Sequence, residues 1–222
     1  MKGSGMKRIT KKEAQEILDI LQEAYPDARV SLDAKNPFEL VIATALSAHT
    51  TDVQVNKVTP ELFRRYPTPN KMAQAPLEEL TELIHTIGFF RTKAANIKRA
   101  SQMLVDEFGG VVPQTMEELT RLPGVGRKTA NVVLSVAFHI PSIAVDTHVF
   151  RVSNRIGLSK SSDVGACEED LKNILDRNSW SHAHHLLIFH GRRTCKARRP
   201  LCEQCSIRQH CRFYASSTGK QL

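Results

Sequence analysis

Two stretches of the 222-residue sequence carry residue types that do chemistry. In "LPGVGRKTA" (Leu122–Ala130), Lys128 stands just inside the start of an apolar helical pattern, behind a glycine-rich turn. An amine so placed can clamp a phosphate, sit as a solvated surface charge, or act as a nucleophile. In "CKARRPLCEQCSIRQHC", Cys195, Cys202, Cys205 and Cys211 follow the spacing C-x6-C-x2-C-x5-C. Four thiolates can close a tetrahedral zinc site or hold the irons of a cluster, and spacing alone does not choose between them. The fifth cysteine, Cys167, stands apart.

Two nucleotide-loop readings of the lysine segment fail. A Walker A loop needs Gly immediately before the Lys, where Arg127 stands, and G-x-G-x-x-G needs Gly where Thr129 stands, after a strand that is absent. What remains is helix, hairpin, helix: "TMEELTRL", "PGVG", "RKTANVVLSVAF". Successive backbone N–H groups at such a hairpin and the following helix start form an anion site, and glycines let a phosphodiester come close. The arrangement looks like the helix-hairpin-helix DNA-binding element, and that resemblance makes Leu122, Pro123, Gly124, Val125, Gly126 and Arg127 the candidate DNA-backbone contacts.

The elements that must position these groups read as helices. Thr10 and Glu13 have capping-box spacing ahead of Ala14, Ile17, Leu18 and Leu21, which share one helical face. "NPFELVIATALSA" offers Asn36 as N-cap and Pro37 at the first helical position, and is apolar nearly all round, so it belongs at a centre. Further helical patterns begin near Asp52, Pro76, Thr92, Thr115, Arg127, Asp146, Val164 and Ser181, several ending at Gly or Pro. Only "SIAVD" reads as briefly extended, so the chain is all-α. The residues after Arg212 read as a frayed tail.

Composition bounds the function. Hydrophobic residues make up 41% and charged residues 24%, ordinary globular values, and no apolar run reaches the roughly 18 residues of a membrane span. The start "MKGSGMKRITKK" is basic but lacks the apolar core of a secretory signal, and residues 1–6 stand outside the fold argument. Cysteines grouped in a chain without such a signal favour a metal site over disulfides. A formal charge of +8 suits a polyanionic partner, or simply a basic solvated surface. A four-thiolate cluster of net charge −2 would leave about +6, and part of the basic density at Arg192, Arg193, Lys196, Arg198, Arg199, Arg208 and Arg212 can serve it.

"LPGVGRKTANVVLSVAF", then "IAVDTHVFRVSNRIG", then "HGRRTCKARRPLCEQCSIRQHC", together resemble the endonuclease III family, bifunctional DNA glycosylases and AP lyases of the helix-hairpin-helix and Gly/Pro-Asp superfamily. "NPFELVIATALSA" and "IGFFRTKAANI" match as well, so the resemblance spans about residues 10–213 in order. It implies two helical domains flanking a DNA-binding groove. A six-helix barrel would span 30–140, and residues 1–29 with 141–222 would form an iron–sulfur cluster domain. It turns the cysteine set toward a [4Fe-4S] cluster. It makes Lys128 the catalytic lysine and Asp146, otherwise a plain N-cap, the superfamily's aspartate.

The chemistry implied is attack of the Lys128 amine on C1′ of the deoxyribose, loss of the damaged base, and β-elimination from the resulting Schiff base. An ordinary lysine amine is neutral only about once in a few thousand molecules at pH 7, so its site must help it. The resemblance places wedge residues at His49 and Phe89 and a DNA-positioning role at His148; the plain readings are a turn residue and a core phenylalanine for the first two. The remaining histidines, "HAHH" among them, read as structural, and Asp52 as a helix cap. The family carries Gln where this chain has His49, which puts opposite-base preference and lesion spectrum in doubt. The implied partner is double-stranded DNA with damaged pyrimidines or abasic sites, met by a monomer without membrane attachment in a bacterial cytoplasm, at the nucleoid. The competing readings are a non-catalytic DNA-binding or redox-sensing iron–sulfur protein, and a glycosylase of the same superfamily with another lesion specificity.

Overall fold

The computed structural model describes residues 9–29 and 31–218; the basic start and the last four residues lie outside them. Every regular element among the described residues is helical, in agreement with the all-α reading. None of these helices is long and apolar enough to cross a membrane.

The chain divides into two units, Val30–Ile140 and Met1–Arg29 with Pro141–Leu222. In the first, α2 (Pro37–Ser47) is the centre: every residue from Phe38 to Leu46 is buried. Asn36 caps it by accepting from the Glu39 amide at 2.9 Å, with Pro37 at the first position as its fixed φ favours. Around it run α3 (Asp52–Arg65), α4 (Pro69–Gln74), α5 (Leu77–Leu83), α6 (Phe90–Phe108), α7 (Met116–Leu119) and α8 (Arg127–Ala137). One apolar core joins Ile42 and Leu46 of α2 to Leu62, Leu80, Ile97, Leu104, Leu119 and Val133.

In the second unit, α1 (Lys11–Ala24) has the full capping box, Thr10 and Glu13 each satisfying the other's backbone. It packs with α9 (Thr147–Ile156), α10 (Val164–Ile174) and α11 (Trp180–Arg193) around Ile17, Leu21, Val149, Val152, Leu171 and Leu187. Cys167, buried in this core, has its thiol pKa raised by desolvation, which suits a packing role.

Several local expectations need correction. Residues 212–218 are a helix, α12 (Arg212–Thr218), because Ala215 packs inward and its amide bonds the Cys211 carbonyl; only the part of the tail beyond 218 is undescribed. Helix α3 is capped by Thr51, whose hydroxyl accepts from the Gln54 amide, so Asp52 is its first helical residue rather than its cap. The short α4 was missed although Thr68 and Pro69 spell a helix start. Helix α6 begins at Phe90 rather than near Thr92, after a left-handed residue that no periodicity announces. The first helix of the hairpin element is a single turn, α7.

Candidate DNA-repair site and cluster centre

The glycine hairpin is a type II turn. Leu122–Val125 closes through the Val125 amide on the Leu122 carbonyl at 3.0 Å, with Pro123 second and Gly124 third at φ +82°. A Cβ on Gly124 would also come within 3.2 Å of Asn96, so backbone and packing both require glycine there. Leu122 and Val125 are 2% and 5% exposed: their side chains pin the turn to the core, and only their backbone is available to a partner.

Gly126 differs. Its φ of −95° suits any residue, and an added Cβ would meet nothing within 4 Å. Neither conformation nor packing asks for glycine, so the missing side chain leaves space over the start of α8. Gly126 is also the N-cap of α8 and offers no side chain to its first turn, where helix geometry leaves leading N–H groups without intrahelical partners. Arg127 and Lys128 are both exposed in that first turn. The two glycines give a paired prediction. Gly124→Ala should lower stability by about 1–2 kcal/mol, read as a denaturant midpoint shift. Gly126→Ala should cost about 1 kcal/mol or less yet weaken DNA affinity more, read by anisotropy titration.

His49 and Phe89 lie in one place. Both residues adopt left-handed backbone, at φ 56° and 59°, and their rings meet edge to face with centroids 6.0 Å apart. Phe89 is 71% exposed, which removes the core-packing reading for it, and His49 is exposed as well. For residues with a Cβ that conformation is costly and is kept only where neighbours enforce it.

The enforcing group is Lys93, which the sequence did not flag. It is 6% exposed on α6, and its Nζ donates to the Leu46 carbonyl (2.9 Å), the Ala48 carbonyl (2.5 Å) and Thr50 Oγ1 (3.1 Å). The ammonium thereby closes the C-terminal end of α2 and ties the turn carrying His49 to the helix that begins beside Phe89. Desolvation lowers its pKa, so the bonds are made at some cost to the charge. Lys93→Met should destabilise the protein by about 2–4 kcal/mol in urea unfolding, because buried carbonyls lose a charged donor. Lys93→Arg should not restore it, since a planar fork cannot replace a compact three-donor ammonium.

In the other unit, Asp146 is the N-cap of α9: Oδ1 accepts from the His148 and Val149 amides, both at 2.8 Å. The segment before it, Ile143–Val145, is buried and belongs to no regular element, and His184 bonds the Ala144 carbonyl at 2.7 Å. This confirms a structural role for His184 and shows what fixes Asp146. His148 is half-buried, with Nδ1 3.2 Å from an Arg151 guanidinium that also donates to the Gly191 and Cys195 carbonyls. Burial lowers its pKa, so it is a neutral ring held within α9 and α11.

The four cysteines line one cavity with Ile156, His190 and Tyr214. No group of three His, Cys, Asp or Glu side chains among the described residues is placed to hold a single metal ion. Four cysteines lining one cavity suit a polynuclear cluster, in which each thiolate takes its own iron. The surroundings offer donors to sulfur: Arg155 Nη1 lies 3.6 Å from Cys195 Sγ, and His190 Nε2 lies 3.8 Å from Cys205 Sγ. His190 is 1% exposed with its pKa lowered to about 4 by burial, hence neutral. Its Nδ1 is 2.9 Å from Tyr25 Oη, so a Tyr25 hydroxyl donating to Nδ1 would leave Nε2–H facing the sulfur. Burial pushes the Cys205 thiol up to about 11 when no iron is bound, so loading must release protons. Of the basic residues clustered here in sequence, Arg193 pairs with Asp27 at 2.6 Å, while Arg155, forty residues upstream of Cys195, reaches that cysteine's sulfur. Purified protein should carry iron and acid-labile sulfide at about four each per chain, and Cys202→Ala should lower both.

Comparison with known proteins agrees with this geometry. Residues 42–177 match the family described as HhH-GPD superfamily base excision DNA repair protein, and residues 195–211 match the iron-sulfur binding domain of endonuclease III. Endonuclease III of Synechocystis sp. is 51% identical over 90% of this chain and 92% of its own length; that of Bacillus subtilis is 48% identical over the same shares. A solved structure of a trapped endonuclease III–DNA covalent intermediate, an estranged-adenine complex, is 47% identical. It superimposes with a TM-score of 0.88 over 95% of this chain and 99% of that one. Near-half identity along nine-tenths of both sequences, with the cluster segment included, establishes that the chain belongs to the endonuclease III family of the HhH-GPD superfamily of base excision DNA repair proteins.

Proposed function

We propose that this DNA glycosylase and AP lyase removes oxidised pyrimidines from duplex DNA and cleaves the strand 3′ to the abasic site. The observation that carries the reading is Gly126: a glycine that neither its backbone nor its neighbours require, beside an exposed lysine at a helix start that no side chain caps. The backbone of the hairpin holds a phosphodiester, and the Lys128 amine is left for the sugar.

In this mechanism the Lys128 amine attacks C1′, the base leaves with its bonding electrons, and the amine becomes a Schiff base on the opened sugar. Loss of the 2′ proton then expels the 3′ phosphate by β-elimination. Asp146 stabilises the positive charge developing on the sugar while its Oδ1 holds the start of α9. The target nucleotide must leave the stack, and the exposed His49–Phe89 pair fills the space it vacates. Cys195, Cys202, Cys205 and Cys211 would hold the cluster, which would supply iron–sulfur chemistry when bound. Arg155 and His190 lie against the Sγ atoms of Cys195 and Cys205 that would ligate it. The protein acts as a monomer in a bacterial cytoplasm, at the nucleoid.

The test is incubation with duplex carrying a single oxidised pyrimidine or abasic site, against each opposite base, with and without borohydride. Incision with a trapped covalent complex is expected. Binding without either product would leave the non-catalytic reading standing.

A further inference from the structure

Tyr25, at the end of α1, is 7% exposed, and its phenolic oxygen lies between two partners beside the cysteine loop: His190 Nδ1 at 2.9 Å and Thr194 Oγ1 at 2.7 Å. Its ring is held by the Arg193 guanidinium stacked over it, which is itself paired with Asp27. The second nitrogen of the buried His190 ring faces Cys205 Sγ at 3.8 Å. Thr194, Tyr25, His190 and Cys205 thus form one unbroken line of polar atoms, all within a single unit of the chain.

Counting hydrogens fixes the direction of that line. A neutral imidazole has one N–H and a phenol one O–H. With Cys205 as a thiol, two orders are open: the ring accepts from Tyr25 and donates to sulfur, or it donates to Tyr25 and accepts from the S–H. A thiolate bound to iron has no hydrogen, and only the first order then satisfies every atom. Thr194 donates to Tyr25, Tyr25 to Nδ1, and Nε2–H to the sulfur. The opposite order would set the Nε2 lone pair against a thiolate. Tyr25 therefore selects the donor tautomer of the ring and polarises its N–H toward the sulfur.

We infer that Tyr25 and His190 are positioning residues that keep a hydrogen-bond donor on the Cys205 sulfur, and so hold the one-electron potential of the cluster above the value its four thiolates alone would set. A donor on a ligating sulfur disperses negative charge and favours the state that carries one electron more. The change is a single electron exchanged with an external electrode, and no proton leaves the line. The inference rests on the assignment of the four cysteines to a cluster and not on the chemistry proposed at Lys128.

The experiment is voltammetry of the full-length, cluster-loaded protein adsorbed on a graphite electrode without DNA, at one pH, after iron and sulfide have been counted. His190→Leu should move the midpoint negative by at least a tenfold change in the oxidised-to-reduced ratio, about 59 mV for one electron. Tyr25→Phe should move it in the same direction by a smaller step of at least threefold. His190→Gln, whose amide offers an N–H to the sulfur, should recover most of the loss seen in His190→Leu. Because Tyr25 acts through the ring, Tyr25→Phe should add nothing in a His190→Leu background. A purely structural role would lower stability and leave the midpoint in place. A loaded His190→Leu protein whose midpoint is unmoved or moves positive overturns the inference, and so does a Tyr25→Phe shift that persists in full without the ring. Should His190→Leu fail to retain the cluster, Tyr25→Phe decides: a negative shift of threefold or more supports the inference, and a smaller one rejects it. Parent protein without iron would remove the cluster assignment and the inference with it, a result distinct from an unmoved midpoint in loaded protein.

Discussion

Lys128→Ala should abolish the borohydride-trapped complex with abasic duplex and lower strand cleavage by about four orders of magnitude or more, since removing a nucleophile removes the covalent route itself. The fold should hardly register the change. Lys128 is exposed in the first turn of α8, so its loss opens no cavity, and alanine is the better helix former. Stability should stay within about 0.5 kcal/mol of the parent. Duplex affinity should fall less than about tenfold, because the grip proposed for the hairpin uses backbone around Gly124 and Gly126, and the salt dependence should lose about one counterion. Single-turnover cleavage, trapping and an anisotropy titration at several salt concentrations measure the three quantities. Undiminished trapping in the alanine variant would assign the nucleophile to a different amine.

Asp146 calls for two substitutions, because one carboxylate serves two purposes. Its Oδ1 caps α9 through the His148 and Val149 amides, and its charge is the one proposed to stabilise the cation developing on the sugar. Asp146→Asn keeps a capping oxygen and removes the charge, so stability should change by less than about 1 kcal/mol. A carboxylate about 4 Å from a developing cation gains on the order of 4 kcal/mol at an effective dielectric of about 20, so the rate should fall about a thousandfold. Asp146→Ala loses the charge and the cap, adding about 0.5–2 kcal/mol of destabilisation to the same rate loss. Thermal unfolding beside single-turnover kinetics separates the two roles. Equal activity of Asn and Asp at this position would reduce Asp146 to its cap.

Much of the architecture was readable from neighbouring residues. The capping box at Thr10 and Glu13, the Asn36-Pro37 start of α2 and the Pro-Gly order of the hairpin turn are interactions among residues three or four apart, so sequence spacing reports them directly. The same holds for the four cysteines, whose order pointed to a bound group before the cavity they line was seen. Beyond the short α4 and the terminal α12, the errors fell at element ends. Thr51 and Asp52 are both good caps, and backbone conformation selected the first. Phe89 precedes a helix in a left-handed conformation that its own residue type disfavours.

The sequence by itself determined an all-helical chain with a glycine hairpin, a nearby lysine and a four-cysteine centre, because caps, turns and ligand spacing are local physics. Tertiary structure decided what holds those groups in place. Lys93 finds its carbonyl acceptors 45 and 47 residues away, Arg155 reaches a cysteine 40 residues on, and Tyr25 meets His190 across 165 residues. Each is a polar group drawn out of water by long-range burial, and its partner is set by packing that no short window of sequence contains. Gly124 and Gly126 look alike in the sequence; only the structure separates the glycine that the fold requires from the one that leaves room for a partner.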